Sequence, residues 1–288
     1  MQVYGFRHVW LNCLRKTWRR GLGTFGTLKR WASPLLQVIR IKMGTKKMNI
    51  TTVLESIRPQ VQKFCGPLFF TASPASPNND IVNSGSFGLV SIGERKLLVT
   101  CWHVVDEFRK KHSENPALIF GIGFGGRSPQ YVEFDDLMKM KVDDSRECDL
   151  VTFDVRDALD LVAASNLEFF DLNSNPPPEV REGDVLYLIG FPKKGRIETE
   201  ASVGWPRQPV AVKASQVGES TFHARPKSLH LDESEYGGMS GAPCFVVPQR
   251  PPIKLVGFFT GLVPRPMNMM QFTYARYIGK DGIIRYHT

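Results

Sequence analysis

No stretch of this chain approaches the roughly 18 to 20 uninterrupted apolar residues that a membrane-spanning helix requires, so no transmembrane segment is expected. Cysteine is scarce: Cys13, Cys65, Cys101, Cys148 and Cys244 are odd in number and widely spaced, with no CxxC pair. That usage argues against a disulfide framework and a thiol redox or zinc motif, and predicts free, buried thiols in a reducing compartment. There is no internal repeat of fixed period. Acidic residues are missing from the first 47 positions altogether, where eleven Lys or Arg are found.

The formal charge of +9 is therefore uneven, because all 28 acidic residues and only 26 of the 37 basic ones lie beyond residue 47. A body so close to neutral is not expected to be built around a nucleic-acid groove. The basic extension 1–47 lacks the apolar core and cleavage site of a secretory signal. Its acid-free, Arg-rich character fits an organelle transit peptide or a basic arm for anionic surfaces. The abrupt change in composition also fits translation starting at Met43 or Met48. Cytoplasmic localisation is expected, with an organelle as the alternative if the extension is a genuine transit peptide.

With 288 residues and 42% hydrophobic composition, the chain can bury one large or two small cores. Residues 48–66 place Ile50, Val53, Leu54, Ile57, Val61 and Phe64 at helical spacing, with Thr52 and Glu55 as a capping box. From residue 86 the pattern turns to short β runs separated by Gly and Pro, which predicts an all-β sandwich or barrel. "VVDEFRKKH" reads as a short helical turn. The Pro-rich stretch near 176–178 marks a linker over 166–182 between a first β unit at 67–165 and a second at 183–288.

Five small residues crowd Ser240 in "EYGGMSGAPCFVV". Glycines serve ordinary turns, but such a bend also turns backbone N–H groups toward a developing oxyanion beside a nucleophile. A serine hydroxyl needs a base near neutrality, and an imidazole needs a carboxylate to fix its tautomer. "LLVTCWHVV" supplies His103 and "SRECDLVTFDV" supplies Asp149. Asp143, Asp144 and Asp154 compete for the carboxylate role, and Asp149 is preferred for its phase with Val151, Phe153 and Val155.

These pieces resemble the chymotrypsin-like serine peptidases, in particular the disulfide-poor bacterial and organellar branch. The matching residues are T-x-x-H-V at Thr100–Val104, D-L-V at Asp149–Val151, G-x-S-G-x-P at Gly238–Pro243, and the following "LVGFFTG". The order His, Asp, Ser is shared, and the likeness spans roughly residues 67 to 275. It implies two six-stranded antiparallel β-barrels with the active site in the cleft between them, preceded by a short helix. His103 and Asp149 would come from the first barrel and Ser240 from the second, with the N–H groups of Gly238 and Ser240 as the oxyanion hole. The primary pocket would be floored near Ser234 and walled by Thr260, Gly261 and Leu262. None is charged, which points to a small or medium apolar side chain.

The resemblance implies a serine endopeptidase with a polypeptide substrate, no cofactor and no metal. The alternatives are a catalytically silent protease-fold binding module and a peptidase activated only by a partner protein. Met239 replaces the acid that pairs with a cleaved N-terminus in digestive members, and Val104 replaces a half-cystine. Trp102 is larger than the usual residue before the histidine, so it either crowds or lines the site. "GIGFGG" at 121–126 fits a dinucleotide motif, yet no helix follows it, so a glycine-rich hairpin or bulge is expected. His8, His112, His223, His230 and His287 form no metal-ligand spacing. An α/β-hydrolase order of Ser240, Asp281 and His287 leaves too little chain for parallel crossovers.

Overall fold

The computed structural model describes residues 40–43, 46–72, 81–123, 129–158, 162, 166–194, 197–199, 202–204, 207–226, 236–247, 252–263 and 267–286. The basic extension up to residue 39, Ser234 and His230 lie outside them. Strands β1 (Arg40–Met43) and β2 (Lys46–Asn49) pair antiparallel ahead of helix α1 (Ile50–Val61). Val53, Leu54, Ile57 and Val61 are buried, the three-to-four spacing read from the sequence. Pro59 lies inside the helix, which begins at Ile50, so Thr52 falls within its first turn and is not its N-cap.

The first β unit comprises β3 (Cys65–Thr71), β4 (Ile81–Ile92), β5 (Arg95–Thr100), β6 (Ile119–Ile122), β7 (Gln130–Val132), β8 (Lys141–Ser145), β9 (Leu150–Asp154) and β10 (Phe170–Asp171). Its strand order is β7-β6-β3-β4-β5-β9-β8, with β10 lying parallel along β4. This sheet curls as a half-barrel. The β6–β7 pair is the hairpin expected at "GIGFGG".

Helix α2 (Trp102–Glu114) follows β5, and helix α3 (Phe134–Lys139) follows β7. At thirteen residues α2 exceeds the short turn read from the sequence, because Val104, Val105 and Phe108 give it a full apolar face. Phe108 stacks on Phe70 at 4.5 Å and meets Phe120 and Phe134 at 5.2 and 5.3 Å. Asp106 is buried on the same helix, where Lys110 at 2.8 Å offsets its desolvation. Packing of this kind fixes the direction in which the helix aims its first turn.

In the second unit, β11 (Val185–Gly190) precedes a small hairpin of β12 (Ile197–Thr199) and β13 (Ser202–Gly204). Then come β14 (Gln208–Val217), β15 (Thr221–Pro226), β16 (Pro243–Val246), β17 (Lys254–Val263) and β18 (Met269–Tyr274). Six of these close a barrel in the order β11-β14-β15-β18-β17-β16. Inward-pointing Phe222, Phe272 and Tyr274 alternate with outward residues, and the Phe222 and Phe272 rings stack at 5.0 Å. A mostly β chain with one closed six-strand barrel and one half-barrel is the all-β, two-barrel architecture expected from the sequence.

The proline-rich segment is docked on either side of its prolines. β10 adds to β4, the Leu172 N–H bonds Ser91 O at 2.9 Å, and Phe170, Leu172 and Val180 are buried. Among the described residues, no helix is long and apolar enough to cross a membrane.

Candidate active site

Cys101 occupies the N-cap position of α2 and makes no side-chain capping bond. A helix start left this way exposes unsatisfied N–H groups. Asp149 supplies the acceptors from another turn: its carbonyl takes the Trp102 N–H at 3.2 Å and its Oδ1 takes the His103 N–H at 3.0 Å. The other carboxylate oxygen, Oδ2, lies 2.7 Å from His103 Nδ1. One carboxylate thus caps the helix and orients the imidazole borne on its second residue, where the helix dipole also favours negative charge.

Asp149 ends the turn before β9 with φ of +50°, a left-handed conformation that Asp tolerates better than most residues. The strand begins at Leu150, so the two-residue alternation that favoured Asp149 in the sequence does not extend to it. The competing carboxylates are engaged elsewhere: Asp143 with the Ile284 N–H, Asp144 with Lys141, and Asp154 with Arg95 and Arg156. From the second barrel, Thr273 Oγ1 donates to Cys148 O at 2.7 Å and pins the residue next to Asp149.

Ser240 sits in the bend between Tyr236 and β16. The Met239 N–H bonds Tyr236 O at 3.0 Å, and the Ala242 N–H bonds Met239 O at 2.9 Å. Gly238 and Gly241 adopt φ of +90° and +92°, where a side chain is strained. A Cβ on Gly241 would stand 2.1 Å from Ser86 O, and one on Gly238 would stand 2.8 Å from Phe191 O. The N–H groups of Met239, Gly241 and Ala242 are all engaged, whereas among the described residues those of Gly238 and Ser240 donate no hydrogen bond.

Ser86 of β4 ties this bend to the first sheet. Its N–H donates to Ser240 O at 2.8 Å, and its hydroxyl donates to Gly238 O at 2.9 Å while accepting the Phe191 N–H at 3.1 Å. A Cβ on neighbouring Gly85 would meet both Val104 Cγ1, at 2.8 Å, and Ser240 O, at 3.4 Å. The residue after His103 and the carbonyl of Ser240 therefore both approach the bare Cα of one glycine. Among the described residues no hydrogen bond joins the Ser240 hydroxyl to His103.

The expected pocket wall lies on β17. Thr260 is buried and its Oγ1 donates to Gln271 O at 3.3 Å. Gly261 stands opposite Gln271 with nothing within 4 Å of where its Cβ would be, so it borders open space. Leu262 stands opposite the fully buried Met270. His223 also faces Gln271, across β15 and β18, and burial pushes its imidazole below its usual value against the opposing effect of a hydrogen bond it donates to the Gln271 side chain.

Cys65, Cys101, Cys148 and Cys244 are free and buried, as expected. Cys101, His103 and Asp149 hold their donor atoms within 4.8 Å of one another. A zinc ion keeps its ligands about 3.3 Å apart at its usual bond lengths; the 2.7 Å contact of His103 Nδ1 with Asp149 Oδ2 leaves no place for one between them. Trp102 places its ring 4.5 Å from the guanidinium of Arg146, in the turn that ends at Asp149. Ser86, Thr273 and Cys101 carry no motif of their own, and their bonds to Gly238, Cys148 and Phe259 cross 125 residues or more of sequence.

Residues 85–249, more than half of the chain, match the family of the trypsin-like peptidase domain. No curated protein matches the sequence. Among solved structures, Deg5 is 10% identical with a TM-score of 0.47, covering 77% of this chain and 88% of its own. AL20, a thermostable serine protease from an extremophilic microorganism, is 14% identical with a TM-score of 0.42, covering 74% and 91%. A structure from work on the intrinsically disordered VPg protein of Sesbania mosaic virus is 12% identical with a TM-score of 0.43, covering 74% and 87%. The domain match spans both the His103–Asp149 pair and the Ser240 bend, and by it this chain belongs to the trypsin-like peptidase family.

Proposed function

We propose that the chain is a serine endopeptidase with His103, Asp149 and Ser240 as its triad. The observation that carries this reading is the Asp149 carboxylate, which bonds both the imidazole Nδ1 and the backbone N–H of His103. A proton on Nδ1 leaves Nε2 as the base, which is the tautomer that a nucleophilic serine requires.

In this mechanism Ser240 Oγ attacks the scissile carbonyl carbon while His103 takes the hydroxyl proton. The carbonyl oxygen becomes an oxyanion held by the N–H groups of Gly238 and Ser240, which donate to no other described residue, and loss of one such donor costs about 10²- to 10³-fold in rate. His103 then passes its proton to the departing amine, leaving an acyl-enzyme. A water molecule, deprotonated by the same imidazole, hydrolyses the ester and restores Ser240. Thr260, Gly261 and Leu262 wall the primary pocket. Leu262 facing Met270 favours a small or medium apolar side chain in the substrate.

A second reading is favoured by the missing bond between the Ser240 hydroxyl and His103: turnover that awaits a partner protein. Catalytic hydrogen bonds often tighten only when substrate is bound, so the missing bond is compatible with the first reading. Fluorophosphonate labelling of Ser240 in the isolated protein separates the two. Labelling without a partner supports autonomous activity, and labelling only after a partner is added supports the second reading.

A further inference from the structure

Cys101 lies beneath the triad with no solvent exposure at all. Its Sγ lies within 4.8 Å of a donor atom on both His103 and Asp149. The thiol donates to Phe259 O at 3.3 Å, and the same carbonyl accepts the N–H of Gly241 at 2.8 Å, next to Ser240 in the chain. Phe259 in turn donates its N–H to Ala242 O at 2.9 Å. One side chain is therefore two residues from the imidazole, beside the carboxylate, and on the carbonyl that anchors the nucleophile bend.

We propose that Cys101 is a positioning residue of the triad: its S–H holds the Phe259 carbonyl in common with Gly241 and closes the inner side of the Asp149 carboxylate against water. This inference rests on the triad reading given above. The chemistry suits a thiol. Complete burial, with the Asp149 negative charge adding to it, pushes the Cys101 thiol well above its ordinary value, so it stays protonated and remains a donor. A buried acceptor that loses a donor, or a half-buried carboxylate that gains a stray water on its inner side, shifts its geometry, and a triad tolerates little displacement.

The test uses the full chain carrying Cys101→Ser, Cys101→Ala or Cys101→Val. Serine keeps a donor, alanine removes donor and volume, and valine fills the space, with slightly more bulk than the thiol, without a donor, so it also covers failure of the alanine variant to fold. Two readouts are followed: the far-downfield NMR resonance of the His103 Nδ1 proton, and the rate of fluorophosphonate labelling at Ser240. Cys101→Ser should keep the resonance and label nearly as fast as the parent. The alanine and valine variants should broaden or lose the resonance and label at least about tenfold more slowly, the scale of one hydrogen bond. Equal behaviour of all three variants, whether all intact or all impaired, overturns the inference and leaves Cys101 a packing residue. A parent protein whose resonance follows the donor pattern while Ser240 never labels instead removes the peptidase reading and leaves the positioning role standing.

Discussion

His103 and Asp149 are joined twice, by a backbone N–H to Oδ1 at 3.0 Å and by Nδ1 to Oδ2 at 2.7 Å. The two bonds have different consequences, one for the helix and one for the chemistry. Replacing Asp149 should therefore separate them. Asp149→Asn keeps an acceptor for the helix start but loses the charge and the tautomer, and labelling of Ser240 is expected to fall by about 10⁴-fold with little change in melting temperature. Asp149→Ala removes the cap as well and should cost a further 0.5–2 kcal/mol or about that in stability. Labelling rates and thermal unfolding of the two variants check this; equal labelling by Asp149→Asn and the parent contradicts it.

The three glycines near the site should respond differently to one methyl group. A Cβ on Gly241 would sit 2.1 Å from the Ser86 carbonyl, at φ of +92°. Gly241→Ala should lose at least about 2 kcal/mol, since both the conformation and the backbone contact are strained. Gly238→Ala, at φ of +90°, should lose labelling as its N–H is turned out of place. Gly261→Ala meets nothing within 4 Å and should stay within about 0.5 kcal/mol of the parent. Urea unfolding of the Gly241 and Gly261 variants and the labelling rate of Gly238→Ala check these expectations.

A pH dependence follows from Asp154, at the end of the strand that follows Asp149. Burial raises its affinity for a proton, but hydrogen bonds from Arg156 and Arg95 outweigh that and hold the carboxyl below its ordinary value. A depressed folded-state value means that the stabilisation is present above the unfolded value, about 3.9, and is lost as pH falls through the lower folded one. Asp154→Asn should therefore be less stable than the parent at pH 7, with the difference shrinking below about pH 4. A difference that stays constant down to pH 2 would show that charge is not its origin.

Much of this site was legible because its chemistry sits in short local patterns. T-x-x-H-V and G-x-S-G-x-P each compress a side chain and the backbone around it into a few residues, and the β background follows from two-residue alternation. What stayed hidden depends on contacts between distant segments. Asp149 was reached through strand phase, although it lies in a left-handed turn outside the strand. Ser86 gives no sign that it will hold Gly238 from 152 residues away, and Cys101 reads as one more buried thiol until Phe259 is placed against it. Whether a curled sheet closes is likewise a matter of register at its edges, which composition does not encode. The full length of α2 is hidden in the sequence because the charges of "DEFRKKH" mask the face built by Val104, Val105 and Phe108.

The most direct measurement is fluorophosphonate labelling of the full chain, with Ser240→Ala and His103→Ala alongside. A triad activates its serine whatever peptide it prefers, so the parent should label at Ser240 and both variants should not. Labelling of the Ser240→Ala protein at the parent's rate, or no labelling of a well-folded parent even with candidate partners present, would contradict the assignment of Ser240 as a nucleophile.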